Sequence, residues 1–365
     1  MKNISLFLGC IILFSYLTTH AQEQDSLDLK IGQMIMVGFP GKIINNDDPL
    51  LPLIENGHVG GIILFEKNID SVDSYHRLKN LTFTFQAHSK VPLFMAIDQE
   101  GGRVNRLKTK YGFPQSVTEA YLGELDNVDS TQYYAQTTAA TLAGLGFNVN
   151  FAPVLDLASN PDNPIIAKIG RSFSANPEVV VKHASIFIQE HARLHVITVG
   201  KHFPGHGSSK ADTHKGMADV SETWQENELF PYQKLNDMGL LKGVMSAHIV
   251  NKHLDSLGLP GTLSESILED ILRQRIGYDG VVFSDDMQMH AITKYYGIEK
   301  ALELGINAGL DVVIFSNNIR ASKDRDLDYL HSLIRQLVID GKIKRERIDQ
   351  SYQRIMKLKK EMLYE

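Results

Sequence analysis

An eight-stranded parallel barrel clad in helices, the (β/α)8 or TIM-type fold of the α/β class, is what this sequence predicts, and three observations predict it. Short apolar runs rich in Val, Ile and Phe recur about eight times along the 365 residues, each too short to be a helix of its own. The runs are near-continuous instead of alternating, as parallel strands are when helices cover them. Segments of helical periodicity separate them, so the chain reads as repeated strand-then-helix units. An open doubly wound sheet uses similar units, but "VGFPGKIINND" after the first run lacks the GxGxxG spacing of a dinucleotide-binding turn.

In chain order, strands are expected in "GQMIMVGF" from Gly32, "GGIILF" from Gly60, "VPLFMAID" from Val91 and "FNVNFAPVLD" from Phe147. The second half follows with "VITVGKHF" from Val196, "LKGVMSAHI" from Leu241, "GVVFSDD" from Gly280 and "LDVVIFS" from Leu310. Two intervening helices carry end signals. "STQYYAQTTAATLAGLG" from Ser130 is opened by an Asp-Ser cap and closed by glycine, and "SESILEDILRQRIG" from Ser264 has capping-box spacing between Ser266 and Glu269. No internal repeat, low-complexity tract or Pro-rich linker divides the chain, so residues 22–365 are expected to form one catalytic domain.

Residues 1–21 read differently. One lysine precedes an apolar run over 4–17, with small residues at Thr19 and Ala21. The run is shorter than the roughly 20 residues of a bilayer span, and the pattern is that of a signal peptide cleaved after Ala21. Export to the periplasm or the exterior is therefore expected, with no membrane span after cleavage. Cys10, the sole cysteine, falls in this segment, which removes disulfides, thiolate ligands and a cysteine nucleophile from the mature chain. A formal net charge of -6 gives no basic footprint for nucleic acid or an anionic membrane. No cofactor is expected.

In such a barrel the loops at the C-terminal ends of the strands build the active site. Five strand ends here are polar: Asp98 followed by Gln99-Glu100-Gly101-Gly102-Arg103, Asp156, Lys201-His202, His248, and Ser284-Asp285-Asp286. In "IDQEGGRVNRL", Arg103 and Arg106 would share a face of a following helix turn. Asp98 and Arg106 then either hold a neutral sugar or polyol, or form a solvated turn with a local ion pair. In "VVFSDDMQM", neighbours on an extended segment point to opposite sides, so one of Asp285 and Asp286 faces the pocket while the other serves the backbone. "KHFPGHGSSKADTHKG", from Lys201 to Gly216, has three readings. It is a metal site of His202, His206, His214 and Asp212, an acid/base loop in which Asp212 orients His214, or a polar turn without chemistry. The spacing matches neither HExxH nor a closed metal site, and no metal is expected. A carboxylate beside an imidazole favours its protonated form and suits it to give and retake a proton.

In order and separation, "IDQEGGRVNRL", "KHFPGHG", "DTH" and "FSDDM" resemble the β-N-acetylhexosaminidases of glycoside hydrolase family 3, over essentially the whole chain from Ile31. The resemblance implies a (β/α)8 barrel and retaining removal of a terminal N-acetylglucosamine from small glycosides, such as muropeptide fragments or chitooligosaccharides. It implies that Asp285 is the nucleophile and that His214 acts as acid and base with Asp212 as its partner. It also places Asp98, Arg106, the Arg171 of "IGRSF", Lys201 and His202 at sugar-binding positions. A related β-glucosidase and an exported sugar-binding barrel without turnover are the alternatives. The Asp-x-His loop favours the hexosaminidase branch over the first, and the presence of Asp285, Asp212 and His214 together speaks against the second. The apparent signal peptide departs from the family's cytoplasmic bacterial members. Trp224 is the sole tryptophan, which favours a small substrate over a long polysaccharide; nothing in the pattern names an oligomeric state.

Overall fold

In the computed structural model, which describes residues 27–210, 216–317 and 326–362, eight parallel strands close into a barrel. They are β1 (Ile35–Gly38), β2 (Gly61–Leu64), β3 (Phe94–Ile97), β4 (Val149–Asn150), β5 (Ile197–Phe203), β6 (Gly243–Ser246), β7 (Val281–Asp286) and β8 (Val312–Phe315). The first strand pairs with both the second and the eighth, which closes the ring. Each of the eight expected runs supplies one strand. The runs are continuous because one face of each strand fills the barrel while the other meets helices. Inside, Phe283 of β7 meets Phe94 of β3 and Phe151 edge to face, with ring centroids 5.7 and 5.6 Å apart.

The main helices are α1 (Leu50–Glu55), α2 (Ser74–Ala87), α3 (Val128–Gly144), α4 (Pro177–Ala192), α5 (Phe230–Asp237), α6 (Ser266–Arg275, a π-type helix), α7 (Ile298–Ala308), α8 (Leu327–Ile339) and α9 (Arg345–Glu361). Two caps differ from the sequence expectation. For α3 the cap is Asn127, whose side chain accepts the Ser130 N–H at 2.8 Å, so Asp129 and Ser130 already lie in the first turn. For α6 the Ser264 hydroxyl, not Ser266, accepts an N–H, that of Ile267 at 3.1 Å. Both capping residues have extended backbone, which aims the side-chain oxygen at the exposed N–H groups. Among the described residues no helix is long and apolar enough to cross a membrane.

A buried lysine of α9 reaches the residues that precede β1 and β2. Lys359, 1% exposed, donates to Gln33 Oε1 at 2.6 Å and to the Gly60 carbonyl at 2.9 Å, with its ammonium over the Phe94 ring. Burial pulls this ammonium down to about 7. In the unfolded chain it titrates near its ordinary value of about 10.4. Between those two values the unfolded state binds more protons, so stability rises with pH. The unfolding free energy of the wild type, relative to Lys359→Met, is therefore expected to increase from pH 7 to 10 in urea titrations. A pH-independent difference would show that the buried amine keeps an ordinary affinity for its proton.

Candidate active site

The polar strand ends gather at the C-terminal rim of the barrel. After β3 the chain turns back as a hairpin, Gln99–Gly101 against Val104–Asn105, not as the helix turn expected from the arginine spacing. Gly101 and Gly102 make that turn at φ +110° and +55°, backbone that favours glycine. A side chain on Gly101 would also stand 2.2 Å from the Val117 carbonyl. The hairpin leaves Arg103 exposed at its tip and carries Arg106 back over Phe65 to Asp98.

From there a chain of alternating charges crosses the rim. Arg106 Nη2 donates to Asp98 Oδ2 at 3.1 Å, and Lys201 Nζ donates to Asp98 Oδ1 at 2.9 Å and lies 2.6 Å from Glu100 Oε1. Arg171 grips Glu100 with two bonds, Nε to Oε2 at 2.7 Å and Nη2 to Oε1 at 2.8 Å, and its Nη2 lies 3.3 Å from His202 Nε2. The other ring nitrogen of His202 lies 2.6 Å from Asp156 Oδ2. Asp98, Arg106, Arg171, Lys201 and His202 are thus brought together. Burial would raise the carboxyl of Asp98, but Lys201 and Arg106 outweigh it and hold that group below its usual range. Arg171 and Lys201 do the same for Glu100, and His202 for Asp156. Three carboxylates face three fixed cations. The array supplies directed donors and acceptors for hydroxyl groups, while none of these three carboxyls is ready to give a proton near neutrality.

Sequence reasoning gave no role to Glu100, although it stands in the quoted hairpin, or to Asp156, seen only as a strand end. Asp156 organises the turn after β5, where Oδ1 accepts the N–H of His202 at 3.1 Å and of His206 at 2.7 Å. Asn163 donates to the carbonyls of His206 and Gly207 at 2.8 and 3.0 Å. His206 is buried inside this turn. Behind the array Glu119 accepts the Val154 N–H at 3.0 Å, and burial together with the charge of Glu100 pushes its carboxyl well up. The residues missed are buried side chains that hold other side chains, and local spacing carries no signal for them.

At the end of β7 the adjacent acids divide. Asp286 accepts the N–H groups of Gln288 at 3.1 Å and Ser316 at 3.2 Å and the Ser316 hydroxyl. Burial is the main cause that raises its carboxyl. His248 Nε2 lies 3.0 Å from the Asp286 carbonyl and steadies the same residue from β6. Asp285 stands half-buried beside it, with Oδ1 accepting the Asp286 N–H at 2.7 Å. Asp212 and His214 lie outside the described residues, as does the segment 1–21. Among the described residues no group of three or more His, Cys, Asp or Glu side chains is arranged to hold a metal ion.

Comparison with known proteins identifies a family. Residues 26–358 match the model of the glycosyl hydrolase family 3 N-terminal domain. Beta-hexosaminidase A of Pseudoalteromonas piscicida is 34% identical over 331 residues, in a match that covers 85% of this chain but only 54% of that protein's own length. A beta-hexosaminidase of Nitrosomonas eutropha is 36% identical over 71% of this chain and 74% of its own length. A family 3 beta-N-acetylglucosaminidase from Paenibacillus superposes with a TM-score of 0.83 at 32% identity, covering 92% of this chain and 62% of that one. Beta-N-acetylhexosaminidase from Beutenbergia cavernae gives 0.82 at 28% identity, covering 92% of this chain and 98% of that one.

Proposed function

The chain belongs to glycosyl hydrolase family 3, and on that premise we propose that it is an exported, exo-acting, retaining β-N-acetylglucosaminidase of small glycosides. The observation that carries this reading is the rim itself. Its ionised array, from Arg106 to Asp156, suits the hydroxyls of a single terminal sugar, and Asp285 stands at the end of a neighbouring barrel strand. The names of the Paenibacillus and Beutenbergia enzymes supply the N-acetylated sugar as the substrate class.

In the proposed reaction, a carboxylate oxygen of Asp285 attacks the anomeric carbon as the bond to the leaving oxygen breaks. That oxygen takes the proton of His214, whose imidazolium Asp212 supports. Water then gives a proton back to His214 and attacks the same carbon from the face the aglycone left. Asp285 is freed, and the sugar departs with its configuration retained. The fixed charges contribute by orienting hydroxyls before the chemistry begins. Export rests on the apolar run over 4–17 and the Thr-His-Ala ending of residues 1–21.

The test uses protein beginning at Gln22, with nitrophenol release followed from the β-N-acetylglucosaminide and from the β-glucoside, with and without phosphate. The N-acetyl sugar is expected to turn over much faster, without need of phosphate. Preference for glucose would shift the reading to a β-glucosidase. Binding without turnover of either would make the chain a sugar-binding barrel.

A further inference from the structure

Beneath the sugar-facing array lies a second buried acid that the proposed reaction does not use. Glu228, 1% exposed, sits on the short helix Glu226–Leu229 and points into the turn that follows β5. Its Oε2 accepts the Gly207 N–H at 3.0 Å. A side chain on Gly205, which has φ +117°, would stand 2.6 Å from both Cβ and Oε2 of Glu228. The turn is therefore built around this carboxyl. Asp156 holds the N–H groups of His202 and His206, and Glu228 holds the next one, so two acids grip three successive features of one turn.

The surroundings decide the charge of Glu228. Asp156 faces it from the loop after β4, Tyr232 from α5, and Ser208 from the turn itself; the cations nearest Asp156 are already committed. Arg171 is committed to Glu100 and His202 to Asp156. His206 is pulled down to about 4 by its burial and is neutral above that. Among the described residues no cation pairs with Glu228. A second anion beside the ionised Asp156, without a counter-charge, is costly in a buried site.

We propose that Glu228 is a positioning residue, which as an uncharged carboxylic acid holds the 202–207 turn so that Asp156 can fix His202 against the sugar. This rests on the reading of the chain as a glycosidase. Burial and the charge of Asp156 push the Glu228 carboxyl up to about 8. Above that pH the new anion repels Asp156 and loosens the turn.

The test compares wild type, Glu228→Gln and Glu228→Ala, in kcat/KM on nitrophenyl β-N-acetylglucosaminide from pH 5 to 10 and in thermal stability over the same range. At pH 7 Glu228→Gln is expected within about threefold of wild type, because the amide accepts the same N–H and carries no charge. It should lack the fall in activity that the proposal expects of the wild type above about pH 8. Glu228→Ala should lose at least about tenfold at all pH values. The stability comparison needs no turnover. A carboxyl raised in the folded state loses stability as pH rises from the unfolded value of about 4.3 towards 8, so the melting temperature of Glu228→Gln should gain on wild type across that window. A Gln variant that is as damaged as Ala, that fails to fold, or that keeps the wild-type alkaline limb and pH-stability slope overturns the proposal. An inactive wild type whose stability slope still separates it from Glu228→Gln counts against the glycosidase reading alone.

Discussion

Asp285→Asn is expected to lower kcat/KM on an aryl β-N-acetylglucosaminide by roughly a thousandfold or more, with melting temperature and sugar binding nearly unchanged. The structural half of this expectation draws on the bond to the neighbouring backbone and on the isosteric shape of the amide. Asp285 uses Oδ1 to accept the Asp286 N–H at 2.7 Å, and an asparagine oxygen accepts that bond as well. What the amide lacks is the anionic oxygen that would bond to the anomeric carbon. A thousandfold loss corresponds to about 4 kcal/mol of transition-state stabilisation, far more than one neutral hydrogen bond contributes. The neighbouring substitution gives the contrast. Asp286→Ala strips the acceptor that ties Ser316 and Gln288 to the end of β7, so its first effect is expected on stability. Steady-state kinetics and thermal unfolding on both variants check the assignment; an active Asp285→Asn protein would move the nucleophile elsewhere.

That contrast also shows which features were legible in the sequence. All eight strands were, because a strand buried on both faces writes itself as an apolar run. The division of labour between Asp285 and Asp286 was half legible, since pleating says that adjacent side chains diverge but not which one finds Ser316, thirty residues on. The chain after β3 is a hairpin and not the expected helix turn: a spacing of three between arginines fits either, and it is Gly101 and Gly102, both at positive φ, that turn the chain back on itself. The charge array was legible only by its members. Asp98 and Lys201 are 103 residues apart, Glu100 and Arg171 are 71 apart, and Asp156 and His202 are 46 apart. Such pairs exist only once the barrel has closed, and no local pattern announces them.

Glu100→Gln is expected to be as harmful as Glu228→Gln is harmless, although both change a buried glutamate into its neutral isostere. Glu100 accepts two bonds from Arg171 and lies 2.6 Å from Lys201. Those neighbours are donors only, so an amide NH2 turned towards them meets a donor whichever way it flips. Removing the charge also leaves Arg106, Lys201 and Arg171 facing only Asp98 and Asp156. Breaking a buried pair by deleting one partner costs about 3–5 kcal/mol, since the remaining charge stays in a medium that solvates it poorly. The loss should appear in urea unfolding at pH 7, together with weaker sugar binding as Arg171 and Lys201 shift. Its pH dependence has a fixed sign. Arg171 and Lys201 overcome the effect of burial and hold the Glu100 carboxyl below its ordinary value of 4.5, so the ionised group contributes its full stability above that pH. As pH falls below about 4.5, wild type binds fewer protons folded than unfolded, and its advantage over Glu100→Gln should shrink. Equal stability of the two proteins at pH 7 would mean that the array is held by packing, with its charges contributing nothing net.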